Sequence, residues 1–138
     1  MRGLTTLELQ RAVSSKRHLA RDLGFLGVFP KDLLPRIRSY PCCVIANIHL
    51  SWKSGQHWVV LLVHRNGSGE FFDSMGYSPA FYGFHRWFPS QIVSYSRKQI
   101  QRSHYACGYF CLYFIFHKAN RTTLYISDRT IFTTDYFG

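Results

Sequence analysis

Acidic residues are scarce in this chain. It carries 7 Asp or Glu against 17 Lys or Arg in 138 residues, a formal net charge of +10. Between Arg36 and Arg121 only two acids occur, Glu70 and Asp73, so a site in that region that needs a carboxylate has two candidates. Long apolar runs are also missing. The run from Tyr105 to Phe116 falls well short of the roughly 20 residues that a membrane span requires, so a buried core helix is expected there and no membrane partner. No apolar segment of the signal-peptide kind follows Met1, and export is not expected. No Cys-x-x-Cys pair occurs among the 4 cysteines, which excludes a zinc ribbon; no metal is expected. Cys42 and Cys43 are neighbours in an apparent strand and face opposite ways, while Cys107 and Cys111 are one helical turn apart. Neither spacing is a secreted disulfide framework, so all four are expected as reduced thiols in an intracellular or virion setting. Low-complexity tracts and internal repeats are absent.

What is present suits a globular core. With 46% apolar and 17% aromatic residues, one domain over residues 1–138 is expected. Thr5-Thr6-Leu7-Glu8 fits a capping box that opens one or two short helices up to Leu23. Gly24 to Pro35 reads as a loop, with Pro30 and Pro35 as breakers. Cys42 to Ile48, Trp58 to Val63 and Glu70 to Asp73 read as three successive strands. Asn66-Gly67 supplies a hairpin turn between the last two. Trp58 to Val63 is continuously apolar, as in a strand covered on both faces. Ser78-Pro79 opens a helix to Arg86 or Trp87. Ile92 to Tyr95 and Gln99 to Gln101 are short strand candidates. Tyr105 to Lys118 reads as a central helix, apolar on nearly every side. The class is α+β: a small, mainly antiparallel sheet packed on a central helix.

The most informative stretch is Gln101-Arg-Ser-His-Tyr-Ala-Cys107-Gly108. It places a thiol at the start of that helix, where the backbone dipole favours a thiolate. Gly108 allows a close backbone approach. Cys107 is the candidate nucleophile, with Cys111 one turn deeper and packed. A cysteine nucleophile needs a base, and a group that orients the base. Among seven histidines, His57 stands at the mouth of a buried strand after Gly55-Gln56 and is the choice. His64 lies at the far end of the same strand, His104 in a polar loop and His117 at a helix end. Asp73 ends the returning strand sixteen residues later, with Glu70 on the opposite face. Gln101, with the Cys107 backbone amide, is the candidate oxyanion donor, and Gln99 is the alternative. Trp58 either shields His57 from water or anchors the core. The expected pair is a Cys107 thiolate with a His57 imidazolium.

Several ordered segments carry a family resemblance. They are Phe25-Leu-Gly-Val-Phe-Pro-Lys-Asp-Leu-Leu-Pro35, Cys43-Val-Ile-Ala-Asn47, Gly55-Gln-His-Trp58, Phe72-Asp-Ser-Met-Gly-Tyr77 and Gln101 through Cys111. Together, over roughly residues 5–118, the chain resembles the adenovirus-type cysteine proteases, the adenain family, with relatives encoded by Maverick/Polinton elements and related DNA viruses. The resemblance implies papain-like geometry in a permuted chain order, with His57, Asp73, Gln101 and Cys107 as the catalytic set. It implies an endopeptidase that cleaves structural or core precursor proteins during virion maturation, at Gly-containing sites, in the virion and host nucleus. DNA is implied as an activator, in line with the basic surface. No cofactor is implied for the chemistry itself. A disulfide-linked peptide activator has no obvious cysteine partner between Phe88 and Gln101, and a monomer is expected. Two other readings remain: a ubiquitin-like-protein protease with the same triad order, and a non-catalytic basic module that binds nucleic acid.

Overall fold

Thr5 caps the first helix as its sequence dictates. Its hydroxyl accepts from the Glu8 amide at 3.1 Å, while the Glu8 carboxylate accepts from the Thr5 amide at 2.9 Å. In a computed structural model that describes residues 2–49, 57–100 and 106–119, α1 spans Thr6–Ser14 and α2 spans Arg17–Leu23. The central helix expected over Tyr105 to Lys118 is α4, Cys107–Ala119. Residues 120–138 lie outside the described residues, as does the expected strand position at Gln101.

Among the described residues, five strands form one sheet in the order β1-β2-β3-β4-β5. They are β1 Phe25–Pro30, β2 Cys42–Asn47, β3 Trp58–Val63, β4 Gly69–Phe72 and β5 Val93–Tyr95. The three expected core strands pair antiparallel, β2 with β3 and β3 with β4. Both outer strands run parallel to their neighbours. The fold is α+β, with β3 central and buried at all six positions.

Residues 25–30 depart from the loop expected there. Gly27 and Pro30 weaken a strand interior, but an edge tolerates both. Gly27 has φ +141° and sits at a register shift, the mark of a bulge. The Gln10 side chain accepts from the Val28 amide at 3.0 Å, satisfying a backbone donor of that strand from α1. A short 3-10 turn, Lys31–Leu33, follows. The helix expected from Ser78 is also shorter. Ser78 caps α3, Pro79–Tyr82, and Gly83 stops it in the left-handed conformation, φ +84°; a 3-10 turn, Phe84–Arg86, continues the chain. Residues 99–100 are not a strand. Ile100 is instead held by one backbone bond, its amide to the Ser74 carbonyl at 2.9 Å.

Strand alternation gives the sheet two apolar faces. Cys43, Ile45, Val60, Leu62 and Phe72 pack under α1, α2 and α4. Cys42, Val44, Val59, Leu61 and Phe71 pack against Phe84 and Phe88 on the other side. The two neighbouring cysteines therefore face opposite ways, and none of the four cysteines is in a disulfide. Phe114 of α4 stacks on Phe72 of β4 with centroids 4.7 Å apart, fixing the helix that begins at Cys107 to the sheet. Phe114→Ala is expected to cost about 3–5 kcal/mol of stability, through lost transfer free energy and a residual cavity; urea unfolding measures it. Among the described residues, no helix is long and apolar enough to cross a membrane.

Candidate active site

The β3–β4 hairpin builds the first half of the site. Its turn closes at Asn66-Gly67, where the Gly67 amide bonds the His64 carbonyl at 2.9 Å and Gly67 takes φ +87°. Register runs Val60↔Phe72 and Leu61↔Phe71. Extended past the strand ends, it sets His57 across from the turn that begins at Asp73. There His57 Nε2–H donates to Asp73 Oδ1 at 2.6 Å. The Asp73 side chain is fully buried and that of His57 is 12% exposed.

Asp73 is tightly held. Oδ1 also accepts from the Met75 amide at 3.0 Å. Oδ2 accepts from the Tyr77 amide at 3.1 Å and from the Tyr82 hydroxyl at 2.6 Å. The turn itself closes through the Gly76 amide to the Asp73 carbonyl at 2.8 Å. Gly76 is required by its geometry. It has φ +83°, and a Cβ would lie 2.6 Å from the Arg97 carbonyl oxygen. This explains the glycine in Phe72-Asp-Ser-Met-Gly76.

Helix α4 supplies the other half. Cys107 is its first residue, buried, where a helix presents free amides and the positive end of its dipole. The thiol lies within hydrogen-bonding reach of the His57 ring. With Nε2 engaged by Asp73, Nδ1 is the ring nitrogen left for the sulfur. Burial opposes a charged imidazole, but the hydrogen bonds to Asp73 and Cys107 overcome it, and the His57 pKa is raised to about 9. Gly108 does allow a close approach, though by Leu4 and Leu9 of the N-terminal segment, whose atoms lie 3.2–3.4 Å from where its Cβ would stand.

The competing residues are placed elsewhere. His64 and Glu70 meet each other at 3.2 Å, and Lys118 joins Glu70 at 2.9 Å, on the α4 side of the sheet. Burial opposes ionisation of Glu70, yet His64 and Lys118 hold its carboxyl below the usual range. Burial pushes the Cys111, Cys43 and Cys42 thiols up. Trp58 is buried in the core on the helix side. The aromatic ring beside His57 is that of Tyr82, 6.2 Å between centroids. Gln101 and His104 lie outside the described residues. Ile100, just before Gln101, is anchored to the Asp73 turn through Ser74. Gln99 is exposed, its amide 4.0 Å from the Met75 sulfur. No group of three or more potential metal ligands occurs among the described residues.

Sequence reading did not single out Tyr82. The Ser78-Pro79 helix start placed it within reach of Asp73 along the chain, but nothing in the sequence aims its hydroxyl at the carboxylate.

A thiol, an imidazole and a buried carboxylate in that order of contact can carry acyl transfer. No protein-family model and no curated protein matches the chain. Among solved structures, the crystal structure of the ASFV pS273R protease is similar, with a TM-score of 0.60 and 18% sequence identity over 88% of this chain. The chain spans 60% of that protein's length. At that identity the likeness shows the fold alone: this chain shares the α+β architecture of that protease.

Proposed function

We propose that this protein is a cysteine endopeptidase of the adenain type, virus- or transposon-encoded, that cleaves structural or core precursor proteins during virion maturation. The observation that carries the reading is the His57 ring, bonded to Asp73 at 2.6 Å and within hydrogen-bonding reach of Cys107. The Cys107 sulfur, its proton passed to His57, attacks the scissile carbonyl carbon. The oxyanion is met by the Cys107 backbone amide and the Gln101 side chain. His57 then gives its proton to the leaving amine as the C–N bond breaks. Water attacks the thioester with His57 as base, and the thiolate leaves.

Glycine-containing cleavage sites follow from the sequence resemblance. The excess of exposed cations, Arg36, Arg38, Arg65, Arg86, Arg97 and Lys98 among them, supports DNA as activator and partner. The virion and the host nucleus are the matching locations.

A Gly-rich peptide library is the test, offered with and without DNA beside a ubiquitin-like modifier fusion. Cleavage of the Gly-rich peptides, stimulated by DNA, is expected. Stimulation should fall steeply with salt, because phosphate contacts release counterions. Preferential cleavage of the fusion would replace this substrate class with the modifier class. Salt-independent stimulation would reject an electrostatic mode.

A further inference from the structure

Asp73 takes two of its hydrogen bonds from amides of its own turn, Met75 and Tyr77. Those bonds fix the carboxylate relative to the turn only. The Tyr82 hydroxyl is different, because it comes from α3, a separate element. We propose that Tyr82 is a positioning residue for the site: its hydroxyl fixes the rotation of the Asp73 carboxylate so that Oδ1 faces His57 Nε2 and the ring's other nitrogen faces Cys107. The functional consequence rests on the peptidase reading; the geometric claim does not.

The phenol is itself held in place. Ser78 and Gly83 bound α3 at its two ends. The Tyr82 ring meets Phe81 edge-on at 5.1 Å and Tyr77 edge-on at 6.2 Å. On its inner side it lies against Phe71 at 6.2 Å and Phe84 at 6.1 Å. A rigid ring thus delivers a short hydrogen bond to an ionised acceptor, the stronger kind. The phenol acts only as a donor. Burial, and then Asp73, push its pKa far above the usual tyrosine value, with smaller contributions from Tyr77 and Cys107. Among the described residues, Asp73, Cys107 and the Tyr82 phenol are polar groups gathered around the His57 ring.

Tyr82→Phe keeps the ring contacts and removes one oxygen. The direct readout is an NMR titration of His57 in the folded protein without substrate, so it stands even if no peptide is cleaved. In wild type the midpoint is expected near 9. In Tyr82→Phe the carboxylate keeps its turn amides but loses the donor that ties it to α3, its alignment on His57 loosens, and the midpoint moves down toward the ordinary histidine value. Turnover should fall about 10–100-fold in kcat with KM little changed, the scale seen when a partner that orients an essential group is lost. In an Asp73→Asn background, Tyr82→Phe should shift the His57 midpoint no further. An unchanged midpoint in Tyr82→Phe, or shifts that simply add in the double variant, would overturn the proposal whatever turnover does.

Discussion

Cys107→Ala is expected to abolish peptide turnover, lowering kcat by about 10⁶-fold, the scale seen when a covalent nucleophile is removed. Alanine leaves the imidazole and carboxylate in place but with no atom to form the acyl bond. The informative comparison is Cys111→Ala, one turn deeper in α4. Cys111 is wholly buried and its thiol is pushed well up by burial, so it acts as a small apolar side chain. Its loss should lower stability modestly and leave kcat near wild type. Steady-state kinetics on a cleaved Gly-rich peptide separates the two. Turnover surviving Cys107→Ala, or lost equally in both variants, would remove Cys107 from the chemistry.

Asp73→Asn should lower kcat by about 10²–10⁴-fold, the usual contribution of a positioned acid–base group. The reason lies in the four donors around the carboxylate. Oδ1 faces His57 and Met75, while Oδ2 faces Tyr77 and Tyr82. An amide can offer an oxygen to one side only. On the other side its NH₂ meets a backbone amide that cannot accept. It can pair with the imidazole or the phenol only if His57 changes tautomer or the Tyr82 hydroxyl turns to accept. The variant therefore loses either the productive His57 tautomer or a bond that holds the side chain. The pH profile shifts too. The folded protein favours the charged imidazole, with a pKa raised to about 9. The stabilisation tied to that charge is complete below about 6.5, the usual histidine value, and is lost as pH rises through about 9. Wild-type kcat/KM should therefore fall above about pH 9 as the imidazolium loses its proton. In Asp73→Asn that limb moves down toward the ordinary histidine value of about 6.5, because the larger of the two groups that raise the pKa, Asp73 ahead of Cys107, is gone. A profile with the same alkaline limb in both proteins would mean that Asp73 does not govern His57.

The sheet core was readable because its signals are local and agree with one another. Asn66-Gly67 fixes the hairpin, Trp58 to Val63 is apolar at every position, and the register then carries His57 toward Asp73. The first strand was hidden by Gly27 and Pro30, residues that break an interior strand but suit a bulged edge supported by Gln10. Gly83 ended α3 short of the helix to Arg86 or Trp87 that the Ser78-Pro79 start suggested. Tyr82 was out of reach for another reason: where its hydroxyl points depends on how α3 docks across Phe71 and Phe84. That docking is tertiary, with no period or spacing to reveal it. The two parallel outer pairings were likewise set by long connections rather than by turns.

Reactivity of the four thiols tests the central claim most directly, because it needs no knowledge of the substrate. Mild alkylation of the folded protein at neutral pH, followed by peptide mapping, should label Cys107 first and leave Cys42, Cys43 and Cys111 largely unmodified. In His57→Ala the Cys107 labelling rate should fall. Labelling spread evenly over the four cysteines, or unchanged by loss of His57, would contradict a thiol activated by the His57–Asp73 pair.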